Sequence, residues 1–150
     1  MSVSWIEITE ADVLTVMSGP ELAAYRAAAL KAGQADPLAP TIAQVIKEVR
    51  GYIGGCVKNR LADGETIPPS LLMAALDIIA SRIPQRVNES PEQGRKDKEN
   101  AAIALLKDVS TCKFAIEQPS SPDAAQESGG KVEVVHRRPP NAGRDNLQGL

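Results

Sequence analysis

Apolar residues recur with the spacing of an amphipathic α-helix through the middle of the chain. They fall at steps of three and one, and the set is Ile42, Val45, Ile46, Val49, Tyr52, Ile53, Cys56 and Val57. Such a stripe occupies one side of a helix of about five turns. The opposite side carries polar and charged residues, among them Lys47, Glu48 and Arg50. The pattern predicts a long helix that begins at Thr41, directly after Pro40.

Two shorter helices are predicted before this one. Thr9 is a typical N-cap residue, and Glu10 follows it in the first turn, so a short first helix runs from here and stops at Gly19. Pro20 then stands at a helix-start position, and Gly33 provides a stop after an alanine-rich stretch. These signals bound a second helix.

The second half of the chain contains two further helical patterns. After Pro68 and Pro69, residues 70–84 are apolar over most of a helical surface, which predicts the central helix of the fold. The mixed-sign segment "GRKDKEN" (residues 94–100) leads into a last helix with an apolar face, and we interpret its charges as a solvated surface. The expected fold class is all-α, a small bundle of about five helices.

Composition agrees with one helical domain and excludes several classes of protein. Aromatic residues make up only 3% of the 150 residues, while apolar residues reach 43%, which favours helix packing over a β-sandwich. Seventeen basic and nineteen acidic residues leave a net charge of −2, too little to attract nucleic acid as a whole. The N-terminus lacks the pattern of a signal peptide, and no long apolar run suggests a membrane partner.

Cys56 and Cys112 lie in apolar surroundings without a neighbouring cysteine or histidine. That spacing does not suit a metal site. Because a reducing compartment is expected, buried free thiols are favoured over a disulfide bond.

Candidate catalytic residues are scarce. The single histidine, His136, lies outside the predicted body, so it cannot form a triad there. Asp77 interrupts an apolar run. A carboxylate in such a position more commonly forms an ion pair than takes part in catalysis, and the candidate partners are Arg82, Arg86 or an arginine of a neighbouring helix. We therefore expect no enzymatic activity, no cofactor and no metal. A pocket at Asp77 with a second titratable group in hydrogen-bond reach would argue for an enzyme.

Gly51, Gly54 and Gly55 lie inside the stripe of the long helix. A phosphate-binding loop requires a preceding strand, which this pattern does not provide. Three glycines cost a helix ~2 to 3 kcal/mol relative to alanine. We expect that a closely packed neighbour, a bend or a break at these glycines offsets the cost.

The composition changes after residue 117. We expect a helical domain over residues 1–117 and an extended arm over residues 118–150, which is rich in Pro, Ser and Gly. Within the arm, "KVEVV" alternates like one short β-strand without a partner strand, and basic residues surround it. The candidate docking residues are Lys131, Val132, Val134, Val135, Arg137, Arg138 and Arg144. Strand addition to a neighbour and a disordered solubilising tail both remain open.

Four segments resemble a known family when they are taken in order: "ITEADVLTVMSGPEL", "VIKEVRGYIGG", "IPPSLLMAALDIIASRI" and "KENAAIALLKDV". Together they are similar to the small head-tail connector proteins of tailed phages, also termed adaptor or head-completion proteins, including those of Mu-like phages, over residues 5–117. The resemblance implies a homo-oligomeric ring, commonly of twelve copies, beneath the portal protein of the capsid. It implies further contacts with the next neck or tail-completion protein, and a C-terminal segment that reaches the portal.

The expected function is therefore that of a structural virion protein, made in the host cytoplasm and placed at the head-tail interface. Its ring would line a channel for DNA without binding a particular sequence. The alternative is a small helical DNA-binding module with a basic tail. Against it, the second helix carries Glu21 and a run of alanines where a recognition helix would carry Arg, Asn or Gln.

Overall fold

A computed structural model describes residues 3–120 of the chain. These residues form five α-helices and one short 3-10 turn, Pro69–Leu71. The helices are α1 (Glu10–Val13), α2 (Gly19–Lys31), α3 (Leu38–Gly54), α4 (Leu72–Arg86) and α5 (Gln93–Ser110). The prediction of an all-α bundle is confirmed for the described part of the chain. The predicted arm and its strand lie almost wholly outside these residues.

The centre of the bundle is α4. It contacts α1, α2, α3 and α5, and its most buried side chains are fully enclosed. They are Ala75, Leu76, Ile78, Ile79 and Ile83. A helix with apolar residues over most of its surface has to be covered on several sides, which explains why the others assemble around it. Its predicted central position is confirmed.

The first two helices start where the capping residues indicate. Thr9 caps α1, and Asp12 completes a capping box through its carboxylate, which accepts a hydrogen bond from the backbone N–H of Thr9 at 2.8 Å. Ser18 caps α2, and Gly33 follows its end with φ of +75°, a conformation that glycine adopts without strain. The prediction that α1 reaches Gly19 was wrong, since a single helical turn gives way to turn structure after Val13.

The bounds of α3 also differ from the prediction. The helix begins at Leu38, three residues before Thr41, because Pro40 lies in the first turn, where a missing N–H leaves no intrahelical hydrogen bond unmade. It ends at Gly54, so the last two residues of the apolar stripe lie outside it. Cys56 is buried, but the side chain of Val57 is 95% exposed.

The two cysteines form a disulfide bond, which corrects the prediction of free thiols. Cys56 follows the end of α3 and Cys112 follows the end of α5, and their Cα atoms are 5.3 Å apart. The contact arises from the packing of these two helix ends, although the residues are 56 positions apart in the sequence. No local spacing could have revealed it. The bond joins the ends of the two longest helices of the described chain.

Extended segments outside the helices pair with one another. Ile6 and Ile67 exchange two backbone hydrogen bonds, of 2.8 and 2.9 Å. Val3 bridges Pro119 in parallel, and the indole N–H of Trp5 donates to the carbonyl oxygen of Glu117 at 2.9 Å. The two ends of the described chain are therefore held together.

The long loop between α3 and α4 is tied down by Arg50. Its guanidinium donates to the carbonyl oxygens of Ala62 and Thr66, at 2.6 and 2.7 Å, and lies 5.9 Å from the ring centre of Trp5. Such a fork gives the loop a fixed path back along α3. Across residues 3–120, every helix is too short or too polar to cross a membrane.

Candidate functional site

The three glycines of the long helix do not share one role. A Cβ atom built at Gly55 would lie 3.1 Å from the Cβ of Ser110 on α5, so the helix ends of α3 and α5 approach closely there. At Gly54 the nearest atom is a methyl carbon of Leu61, at 3.9 Å, which is an ordinary contact. At Gly51 no described atom lies within 4 Å. Close packing within the chain therefore accounts for Gly55 alone, and Gly54 and Gly55 mark the end of the helix.

The predicted ion pair between Asp77 and Arg82 is not found. Arg82 instead pairs with Glu48 of α3 through two hydrogen bonds, and its Nε atom donates to Glu99 of α5 at 3.2 Å. The Glu99 side chain is only 7% exposed and also accepts from Ser81 at 3.2 Å. Hydrogen bonding to Glu48 raises the pKa of Arg82 above its ordinary value. Arg82 therefore joins α3, α4 and α5 from a half-buried position, because the buried carboxylate of Glu99 requires a cation.

Asp77 lines a small cleft instead. The cleft has a volume of about 240 Å³ and also includes Thr15, Met73, Arg95 and Lys98. Burial raises the pKa of Asp77, and no described residue donates a hydrogen bond to its carboxylate. The nearby Arg95 is committed to Glu21, with one bond of 2.8 Å. The described cleft therefore supplies no hydrogen-bonded pair of titratable groups of the kind that acid-base catalysis uses.

Other charged residues serve to join helices. Arg26 of α2 donates two hydrogen bonds of 2.9 Å to Glu10 of α1 and two more to Asp36. The hydrogen bond from Arg95 lowers the pKa of Glu21 and links α2 to α5. Within residues 3–120, no group of three histidine, cysteine or acidic side chains could hold a metal ion. The ionic groups thus hold the bundle together at its surface.

A loop at the end of α3 carries the most exposed large apolar side chain of the described residues, that of Val57. We name residues 57–61, with the sequence "VKNRL", the 57–61 loop. Val57 is 95% exposed and Leu61 is 47% exposed, and the cationic residues Lys58 and Arg60 are also exposed. The loop is nonetheless tightly fixed. Cys56 precedes it in the disulfide bond, and the amide of Asn59 donates to the carbonyl oxygen of Ile53 at 3.2 Å.

Gln118 holds the same loop from the far end of the described chain. Its amide nitrogen donates to the Asn59 side-chain oxygen at 3.0 Å, and its amide oxygen accepts from the backbone N–H of Arg60 at 3.0 Å. A primary amide that bonds in this bidentate way fixes both position and orientation. The side chains of Val57, Lys58 and Arg60 therefore project from a rigid support.

A groove lies between the N-terminal segment and α3. We name it the Glu7–Glu65 groove, after the two exposed carboxylates that flank it. Its volume is about 290 Å³, and its apolar floor includes Ile8, Ile42 and Ile46. No described cation forms a salt bridge with either carboxylate. The groove therefore presents an apolar floor and two acidic walls.

A third surface feature is the outer side of α2, where Ala24, Ala27 and Leu30 face solvent. Leu30 is 77% exposed. The residues at this surface are alanines, a leucine and one lysine, Lys31, which provide almost no hydrogen-bond donors for base edges. Together with the single-turn length of α1, this surface gives no support to a helix-turn-helix reader of DNA.

Sequence reasoning missed both the 57–61 loop and the Glu7–Glu65 groove. The loop was hidden because Val57 continues the helical spacing of the apolar stripe, and the only signal against this was the pair of glycines before it. The groove combines residues from three separated segments, so no local pattern contains it. The candidate docking residues of the arm, from Lys131 to Arg144, lie outside the described residues and stay a prediction.

Comparison with known proteins gives one match. The model of the family described as Bacteriophage Mu, Gp36 matches residues 8–134, which include all five helices. No curated protein and no solved structure matches the chain. Since the family model spans most of the 150 residues, the chain belongs to the Bacteriophage Mu Gp36 family.

Proposed function

We propose that this protein is a structural component of a phage particle, and specifically a subunit of the head-tail connector ring. In this role it forms a homo-oligomeric ring of twelve copies around the particle axis, between the portal protein and the next neck or tail-completion protein. DNA passes through the ring without sequence-specific binding. The role requires no catalysis and no cofactor.

The observation that carries the proposal is the family match. It covers residues 8–134, and the four segments that resemble head-tail connectors lie on the helices of this same body. The small helical body formed by residues 3–120 suits a subunit of an assembled particle. The near-neutral charge of −2 favours a channel wall over a DNA-gripping surface, because tight binding requires many cations against the phosphates.

The arm is the part proposed to reach the portal or an adjoining subunit. Its sequence combines the alternating "KVEVV" with Arg137, Arg138 and Arg144. An alternating segment of this kind can add to the edge of another protein's sheet, and its cations favour an acidic partner. In this proposal residues 1–117 form the ring and the arm, residues 118–150, connects it to its neighbours.

The test is a stop codon early in this gene of the phage, with the intact gene supplied from a plasmid as the control. Without the gene product, we expect electron microscopy to show DNA-containing heads and separate tails. When the plasmid supplies the gene, we expect joined particles. A second variant, with a stop codon after Ser120, leaves Gln118 and Pro119 in place against the body. It should be made in normal amount and still fail to join heads to tails. Joined, infectious particles from the early stop would refute the role, and the same result from the second variant would refute only the role of the arm.

A further inference from the structure

We propose that the 57–61 loop of one copy binds the Glu7–Glu65 groove of a second copy. The inference rests on the proposed function only in requiring that several copies of the chain assemble. It names the surfaces through which they do so. Both surfaces consist of described residues.

The first argument is the support of the loop. Val57 places nearly its whole side chain in water, although the disulfide bond of Cys56 and the amides of Asn59 and Gln118 hold the backbone on either side of it. Single exposed apolar residues are common on flexible surfaces. An exposed apolar residue on a rigidly held loop is different, since a partner that buries it loses little conformational entropy.

The second argument is the match in chemistry. The loop offers two aliphatic side chains, Val57 and Leu61, alternating with two cations, Lys58 and Arg60. The groove offers an apolar floor between two carboxylates. Its volume of about 290 Å³ exceeds the ~150 Å³ of a cavity that admits benzene, so aliphatic groups fit. The cations would then meet Glu7 and Glu65, and opposite charges around an apolar centre are the usual anatomy of an interface.

The third argument is distance. The groove lies against Ile42 and Ile46 of α3, whereas the loop follows the end of that helix. Residues 42 and 54 of α3 are separated by about 18 Å along the helix axis, and the loop begins after residue 54. The disulfide bond and Gln118 prevent the loop from crossing that distance in its own chain. If this loop occupies such a groove, the groove must therefore belong to another copy. Contacts that join two different patches can continue from copy to copy, which is how rings are built.

The test uses two charge-reversed variants of the full-length protein. One carries Lys58→Glu and Arg60→Glu in the loop, and the other carries Glu7→Lys and Glu65→Lys in the groove. All four side chains are exposed, so the variants should fold, which circular dichroism and thermal unfolding check. Each variant alone should self-associate about 10- to 100-fold more weakly than the wild type in sedimentation velocity. Mixed in equal amounts they should associate as the wild type does, because every loop then meets a groove of opposite charge.

A substitution at the apolar position of the loop and two control substitutions complete the experiment. Val57→Asp should weaken self-association by ~100-fold, because the contact would bury a charge without a partner. Leu30→Asp, at the next most exposed of the large apolar residues described, and Lys31→Glu should leave it unchanged. Raising the salt concentration should weaken wild-type association and should partly relieve the repulsion in either reversed variant, because salt screens attraction and repulsion alike.

Four results would overturn the proposal. They are a wild-type chain that stays monomeric at every concentration, a variant mixture that fails to associate, normal association of the Val57→Asp variant, and loss of association in Leu30→Asp alone. If Val57→Asp associates normally but no longer binds the portal protein, the loop's occupant is that protein and not a second copy. Loss of head-tail joining is a separate measurement. If the chain self-associates through this contact but is absent from phage particles, the proposed function is refuted and the proposed contact is not.

Discussion

The disulfide bond allows a quantitative prediction about stability. It joins residues 56 positions apart, and loop closure of that length removes about 14 cal/mol/K of entropy from the unfolded chain, or about 4 kcal/mol at 25 °C. We therefore expect reduction of the bond in the wild-type protein to lower the free energy of unfolding by ~3 to 4 kcal/mol. Reduction changes no other group, so it isolates the covalent constraint from any change in packing.

Urea unfolding with and without reductant measures this difference. Trp5 is the only tryptophan of the chain and is 8% exposed, so its fluorescence reports the opening of the body. The variant Cys56→Ala/Cys112→Ala is the matched control. It should resemble the reduced protein and should not respond to reductant.

A difference below ~1 kcal/mol between the oxidised and reduced wild type would refute the reasoning. In that case either the bond does not constrain the unfolded chain, or it is absent. Mass spectrometry after alkylation of the native protein separates the two, because free thiols take up two labels and a disulfide takes up none. Two labels would restore the sequence-based prediction of free thiols.

Five further substitutions, at Gly51, Gly55, Asp77, Arg82 and Glu99, test the packing and the charged groups of the bundle by the same urea assay. Gly55→Ala should lower the free energy of unfolding by ~1 to 2 kcal/mol because the added methyl group crowds α5. Gly51→Ala, in open space on α3, should raise it by up to ~1 kcal/mol. Equal effects of the two substitutions would contradict the geometry. Arg82→Met should lower it by ~2 to 3 kcal/mol because the buried Glu99 keeps only the more exposed Lys96 as a cation, and adding Glu99→Gln should recover part of the loss. Burial raises the pKa of Asp77, so the folded state holds its proton more tightly and loses stability as the pH rises through the unfolded and then the folded pKa. Asp77→Asn should therefore stabilise the protein slightly at neutral pH and not in acid, and a gain of equal size in acid would count against this.

The sequence was sufficient for features that depend on neighbouring residues. The stripe of α3, the apolar surface of α4 and the caps at Thr9 and Gly33 each follow from spacing within a few turns. These signals are properties of a single helix, so they can be recognised without knowing which other helices pack against it. The ends of the helices were predicted less accurately. Val57 shows why, because an apolar residue can continue the helical spacing in the sequence after the backbone has left the helix.

Features that depend on distant residues were not predictable in the same way. Arg82 was expected to pair with Asp77, its neighbour on one helix, and instead reaches Glu48 and Glu99 on two others. The reason is energetic, since Glu99 is the most buried carboxylate of the described chain and has the greatest need of a cation. The disulfide bond of Cys56 was missed because it also joins distant residues, at helix ends that meet only after the bundle has formed.

The end of α3 is held more strongly than the stability of a helix end requires. Gly55 admits close packing against α5, the disulfide bond ties the same point covalently, and Gln118 adds two hydrogen bonds to the loop beyond it. For folding alone, one of these constraints would suffice to stop the helix. Their combined effect is to fix the direction of Val57, which contributes no packing to its own chain. If the 57–61 loop is an assembly contact, loosening it with reductant should weaken self-association under conditions where the body is still folded, because a mobile loop loses more entropy on binding. Association that is insensitive to reductant, in protein shown to be reduced and folded, would mean that the rigidity serves the monomer alone.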